Sequence, residues 1–331
     1  MKISLNQAAD ILRSANKILI LTHQNPDGDT VGSGFGLYYA LKRLGKQVRV
    51  ECHDPFPENF GFLYADYVKE DFEPEFILSV DIASTDLLGE SMQKYADRID
   101  MCIDHHATNT HFAEYVYLAQ SAAANAEIIF DIIIRLGIPI DKMIADCLYT
   151  GIVTDTGCFR YSSTTAHTHL IAAKLYELGT DYDMINRMIF ECKSKSRILL
   201  ESMVLKSMEF YFEDKCAMIV ITMDMVKKAK ADQTVFDGIS GVTKQIEGVD
   251  IGVTVRETAE NTYKISYRTS EKVNAITLAA MMGGGGHVRA SGCTARGTID
   301  EVKQTILEHI EQVIGPANSE KLQNSDITDI I

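Results

Sequence analysis

Four short stretches of the chain carry carboxylates and imidazoles at spacings that suit a divalent cation: His23-x3-Asp27-x-Asp29, Asp81, Asp104-His105-His106 and Asp155. Hard cations take carboxylate oxygen, and Mn²⁺ also accepts imidazole. The turn Asn25-Pro26-Asp27-Gly28-Asp29 can aim two carboxylates into one space, because Pro26 and Gly28 fix an irregular backbone. The plain alternative is a surface turn whose aspartates cap a helix. Asp81 ends the apolar run Phe76–Val80, where a lone Asp can equally be a helix N-cap. Adjacent His105 and His106 cannot point the same way on an extended chain, so one can ligate while the other faces a substrate. Asp155, in Thr154-Asp155-Thr156-Gly157, can also be read as part of a helix-ending turn. Two histidines and the carboxylates Asp27, Asp29, Asp81 and Asp155 would balance two divalent cations, and without them the cluster would repel itself.

A second constellation lies near the C-terminus. Gly283-Gly284-Gly285-Gly286-His287 lets backbone amides approach an anion, with His287 as a further donor. Arg268 can grip phosphate with both arms of its guanidinium. Read blandly, the glycine run is a flexible loop. Arg160 is a further candidate substrate contact or a surface arginine. His53, His111, His167, His169 and His309 join no constellation and read as structural or surface residues.

The elements that must position these groups are legible. Ser4-x-x-Gln7 predicts a capping box opening a first helix. Ile18–Leu21 reads as a strand buried on both faces, followed by a helix over roughly 31–44 stopped by Gly45. Strands over 47–52, 76–80 and 101–103 alternate with helices near 91–98, 124–136 and 142–153. That alternation predicts a Rossmann-like α/β domain with a mostly parallel sheet and its site beyond the carboxyl ends of the strands. Residues 164–212 read as almost wholly helical. Beyond them, strands over 216–221, 249–257, 262–268 and 292–298, with helices over 274–282 and 301–313, predict a smaller α/β domain with a mixed sheet. The expected division is a catalytic domain over 1–190, a helical connector over 191–214, a substrate-binding domain over 215–315 and a flexible tail over 316–331.

Composition bounds the function. A chain of 331 residues suits two domains. No apolar run approaches the ~18 residues of a membrane span, and the N-terminus lacks a secretory apolar core. Seven cysteines without a CxxC pair predict reduced thiols and a cytoplasmic protein. The net charge of −14 argues against tracking of long nucleic acid, which draws its affinity from basic residues against phosphate.

The order H-x-N-P-D-G-D-x-x-G-S, V-D, D-H-H and D-T-G resembles the four motifs of the DHH phosphoesterase superfamily, and G-G-G-G-H-x-x-A-x-G with Arg268 upstream resembles its DHH-associated C-terminal domain. The resemblance covers residues 10–315, and the size is similar to that of the stand-alone oligoribonuclease and 3′-phosphoadenosine-5′-phosphate (pAp) phosphatase branch, the nanoRNases. It implies that His23, Asp27 and Asp81 hold one Mn²⁺ and that Asp29, Asp81, His105 and Asp155 hold the other, with Asp81 bridging. Mg²⁺ or Co²⁺ would be substitutes. Asp81, Asp104 and His106 form the implied catalytic set: His106 contacts the scissile phosphate or assists proton transfer, and Asp104 orients a histidine. Arg268, Gly285, Gly286, His287, Arg160 and Asn25 are the implied substrate contacts. Thr269 and Ser291 depart from the branch, which usually has Ser and Ala there, so substrate preference could shift.

The expected function is Mn²⁺-dependent hydrolysis of short oligoribonucleotides to mononucleotides and of pAp to AMP, the N-terminal domain cutting while the C-terminal domain holds the nucleotide across a cleft. Partners are short single strands, dinucleotides or pAp, with no long duplex and no membrane. A homodimer stays open. Alternatives are a phosphodiesterase for cyclic di-AMP or linear pApA, and a non-catalytic nucleotide-binding protein on the same fold.

Overall fold

The computed structural model describes residues 1–231, 236 and 239–315. The chain divides into two compact units, with the boundary between Cys192 and Lys193. The tail expected over 316–331 lies outside the described residues.

The first unit opens with helix α1 (Leu5–Ser14), whose capping box pairs Ser4 with Gln7 as the sequence predicts. Strands β1 (Ile18–Leu21), β2 (Val48–Glu51), β3 (Phe76–Val80), β4 (Met101–Asp104) and β5 (Tyr115–Leu118) form a parallel sheet in the order β2-β1-β3-β4-β5. β1 and β4 are buried along their whole length, the expected state for strands covered on both faces. β5 is not among the strands expected from the sequence, being a half-buried edge of mixed residues.

Three helices carry or support the candidate ligands: α2 (Gly28–Arg43), α3 (Asn125–Leu136) and α4 (Lys142–Asp155). α2 begins three residues earlier than the apolar pattern suggested, because Asp27 caps it by accepting from the amides of Asp29 and Thr30 at 3.0 and 3.1 Å. The stretch expected as a helix near 91–98 is a 3₁₀ helix, Glu90–Arg98. Helices α5 (Ala166–Glu177) and α6 (Tyr182–Asn186) and a π-helical turn at Arg187–Glu191 complete the unit.

The second unit opens with α7 (Lys195–Lys206), followed by strand β6 (Glu209–Tyr211). Within the helical connector expected over 191–214, α7 is helical and Glu209–Tyr211 is a strand. Leu200 and Val204 of α7 are buried with Ile219 and Ile221 in an apolar cluster, and β6 is an edge strand of the second sheet. β7 (Cys216–Ile221), α8 (Met223–Ala229), β8 (Ile251–Ala259), β9 (Thr262–Thr269), α9 (Ala275–Ala280), β10 (Gly285–His287), β11 (Ala290–Arg296) and α10 (Ile299–Ile314) follow. Strand order is β10-β11-β9-β8-β7-β6, mixed because only β7 and β8 run parallel. α10 starts two residues before the expected Glu301, since Thr298 and Glu301 form a capping box.

Candidate active site

The carboxyl ends of β1, β3 and β4 deliver His23, Asp81 and the Asp104-His105-His106 run to one place in the first unit. Asp27 and Asp29 arrive on the first turn of α2, and Asp155 on the last residue of α4. The two helices approach closely through glycines. A Cβ on Gly32 would sit 2.3 Å from the Cys147 carbonyl oxygen, and one on Gly28 would sit 2.3 Å from the Thr154 side chain. Gly28, Gly32 and Gly36 recur at four-residue spacing, a small-residue ridge that is itself a sequence signal for close helix approach.

Asp81 is the centre of the arrangement. It is 2% exposed and held at φ +59°, a left-handed conformation costly for a residue with a Cβ. Its Oδ2 lies 3.7 Å from His23 Nε2, while its Oδ1 lies 3.5 Å from His105 Nε2. His23 Nε2 is also 3.6 Å from Asp27 Oδ1. His105 Nε2 faces Asp155 Oδ2 at 3.4 Å and Asp29 Oδ2 at 3.9 Å.

Both imidazoles are oriented from behind. Nδ1 of His23 meets the Gln24 carbonyl at 2.8 Å, and Nδ1 of His105 meets the Ala122 carbonyl at 3.1 Å. A carbonyl only accepts, so Nδ1 carries the proton in each ring and Nε2 is turned toward the carboxylates. Asp29 is fixed by the amides of Asn125 and Ala126 at the start of α3, at 2.5 and 2.9 Å, and by the Ser33 hydroxyl at 3.3 Å. Asp27 serves as helix cap and cluster member together, so the plain reading and the site reading both describe it.

His106 has a different setting. Its Nδ1 lies 2.7 Å from Asp104 Oδ1, and its side chain is 43% exposed. Asp104 is fully buried and takes further bonds from the His105 amide at 2.8 Å and from Asn109 Nδ2 at 2.6 Å. Asn109 was not anticipated. Its distance of five residues from Asp104 carries no periodic signal; only the turn after β4 brings it back.

The electrostatics ask for positive charge. Burial opposes charge on His23, yet Asp27, the Gln24 carbonyl and Asp81 outweigh it and push the imidazole up to about 9. Burial likewise opposes charge on His105, while Asp81 and Asp29 drive it up to about 10. Burial, then the charges of Asp81 and Asp155, raise Asp29 well above the carboxylate range. Burial with Asp81 and Asp27 lifts Asp155 to about 6 against the pull of His105. Burial works to raise Asp104 too, but the bonds from His106 and Asn109 hold it below its usual range.

These residues fit divalent cations. Asp81 Oδ1 is buried with no hydrogen-bond partner, a costly state for a carboxylate oxygen unless something else satisfies it. Three groups can each converge on an ion: His23, Asp27 and Asp81; Asp29, His105 and Asp155; and Asp81, His105 and His106. Asp81 belongs to two of them.

In the second unit, sheet register sets three residues in one row. Arg268 on β9 pairs with Ala290 on β11, and Ala290 pairs with His287 on β10. His287 is exposed, and Arg268 is half-buried with Nη1 on the Tyr267 carbonyl at 3.1 Å. Gly284 and Gly286 are needed for strand pairing, since a Cβ would meet the Gly292 and Ala290 carbonyl oxygens at 2.2 and 2.7 Å. Gly285 has open space about it. The stretch Gly285–His287 is thus an edge strand, not a loose loop. The two departing residues turn their hydroxyls inward, Thr269 to the Val288 carbonyl and Ser291 to the Ala275 carbonyl.

Arg160 is tied to the Gly157 carbonyl at 2.5 Å and lies over the Phe190 ring. Asn25, exposed at φ +53°, donates its amide to Asp54. Of the histidines read as structural, His53 meets the Ser91 hydroxyl and His169 stacks on Phe159. All seven cysteines are free, and among the described residues no helix is long and apolar enough to cross a membrane.

Residues 17–152 match the DHH family, N-terminal domain, and residues 216–315 match the DHHA1 domain. The chain is 32% identical over 313 residues to a bifunctional oligoribonuclease and PAP phosphatase of Thermus thermophilus, with 92% of each covered. A crystal structure of an exopolyphosphatase-related protein from Bacteroides fragilis is similar at TM-score 0.82 and 28% identity, covering 93% of this chain and 95% of that one. RecJ of Thermus thermophilus, solved in complex with Mn²⁺, shares the fold at TM-score 0.54 and 15% identity, over 93% of this chain and 54% of its own.

Proposed function

The chain belongs to the DHH family, enzymes that hydrolyse phosphoester bonds, and from that premise we propose that it is a Mn²⁺-dependent hydrolase of short oligoribonucleotides and of pAp. Products would be mononucleotides and AMP. The observation that carries the reading is the division of Asp81, one oxygen toward His23 and the other toward His105, which suits two ions sharing one carboxylate. His23, Asp27 and Asp81 would hold one ion, and Asp29, Asp81, His105 and Asp155 the other. Paired ions of this kind supply Lewis-acid activation of water and neutralisation of charge at phosphorus.

The remaining steps fall to the chain's own groups. His106 would contact the scissile phosphate or move a proton to the leaving oxygen, with Asp104 fixing its Nδ1 so that Nε2 is presented. In the second unit, Arg268 and His287 would hold a phosphate, Arg268 by its charged fork. Gly285 keeps backbone free of side-chain bulk beside them. Asn25 and Arg160 are further candidate substrate contacts. The oligoribonuclease and PAP phosphatase name of the relative supports this substrate class.

The test is metal removal and return. Protein stripped with a chelator should lose hydrolysis of dinucleotides and pAp, and Mn²⁺ should restore it with two ions per chain by elemental analysis. Unchanged turnover after verified stripping would end the dimetal reading.

A further inference from the structure

Directly after the amides that hold Asp29, α3 lines a cavity of about 390 Å³ with Glu127, Ile128 and Asp131. Tyr117 of β5, Ala122 and His167 of α5 also line it. Ala122 connects this cavity to the metal-ligand cluster, because its carbonyl is the one that orients His105. Glu127 is 2% exposed, and its Oε1 has no hydrogen-bond partner. Asp131 lies 3.3 Å from His167 Nε2, so one carboxylate is loosely paired and one oxygen of the other is left wanting a donor.

The lining discriminates among ligand classes. No lysine or arginine lines the cavity while Glu127 and Asp131 do, so its charge opposes a phosphate despite the donors Ser121, Thr165 and His167. The described groups that converge well enough to hold a metal ion all belong to the cluster around Asp81. What remains is a flat, partly apolar ring with hydrogen-bond donors on its edge. Ile128, Ala122 and the Tyr117 ring suit its faces, and the two carboxyl groups suit its donors.

Resting on the proposed nucleotide hydrolysis, we propose that this cavity is a nucleobase subsite selective for bases with an exocyclic amino group, read by Glu127 and Asp131. Adenine, cytosine and guanine each offer an amino group there. Uracil instead presents two carbonyls flanking one N–H, setting acceptors against carboxyl oxygens.

Binding of the free nucleosides to the full chain, by calorimetry or ligand-observed NMR, tests this without hydrolysis. Adenosine, cytidine and guanosine should bind about tenfold more tightly than uridine, the discrimination expected of one hydrogen bond to a carboxylate. Asp131→Asn and Glu127→Gln should each shrink that ratio, and kcat/KM for pApA over pUpU should shrink with it. Should Glu127→Gln fail to fold, Asp131→Asn and Tyr117→Leu carry the same test. Equal binding of uridine, or an unchanged ratio in Asp131→Asn, overturns the subsite. Selective nucleoside binding by a chain that hydrolyses nothing would leave the subsite standing and remove the proposed activity instead.

Discussion

Oδ1 of Asp81 faces Nε2 of His105 across 3.5 Å and makes no hydrogen bond. The two atoms are turned toward each other by separate restraints: a left-handed backbone at Asp81, and the Ala122 carbonyl behind His105. Two groups held this close without bonding suit a shared cation of the kind proposed above.

Asp81→Ala should therefore abolish hydrolysis, by several orders of magnitude, because it removes the carboxylate shared by the two proposed ion sites. The fold should survive, as judged by circular dichroism. A folded variant that kept more than about a tenth of wild-type turnover, a loss under ~1.4 kcal/mol, would remove the dimetal assignment.

Gly151→Ala probes the same cluster from behind. The added Cβ would lie 2.7 Å from Asp29 Oδ1 and 2.6 Å from Ala126 Cβ. Displacing Asp29 should lower both Mn²⁺ content and turnover, with a stability cost of roughly 1–3 kcal/mol from overpacking. Denaturant melts beside elemental analysis check this; wild-type metal content with wild-type turnover would show that Asp29 does not need its position.

Arg268→Ala separates holding from cutting. Arg268 shares a row with His287 in the second unit, so kcat/KM for nucleotides should fall by about 2–4 kcal/mol if a charged phosphate contact is lost. Mn²⁺ content should not change. Loss of metal in this variant would place Arg268 in the wrong role.

Substrate length offers a test of the charge argument. The chain carries −14, and the proposed phosphate grip is a single cross-strand row, so each added phosphate brings repulsion without a matching contact. We expect kcat/KM to fall steadily beyond roughly five nucleotides and activity on duplex to be negligible, with higher salt narrowing the gap between short and long strands. A single-strand length series at two ionic strengths decides it. A twenty-mer digested as efficiently as a dimer would favour a long-strand exonuclease.

The sequence by itself determined the order of elements and the identity of the residues that gather. Buried four-residue runs such as Ile18–Leu21 and the caps at Ser4 and Thr298 are local signals, so β1, α1 and the approximate span of α10 could be read directly. So could the placing of His23, Asp81 and Asp104 at the ends of strands, because a parallel sheet gathers those ends on one side. Only the tertiary structure decided which oxygen of Asp81 faces which imidazole, that Asn109 supports Asp104, and that Gly32 and Gly151 admit α4 close enough to bring Asp155 to His105. It also turned the end of the expected connector into an edge strand, and ranged His287, Ala290 and Arg268 in one row. Those relations depend on helix approach and strand register between residues far apart in the chain, and no local periodicity encodes a distance of that kind.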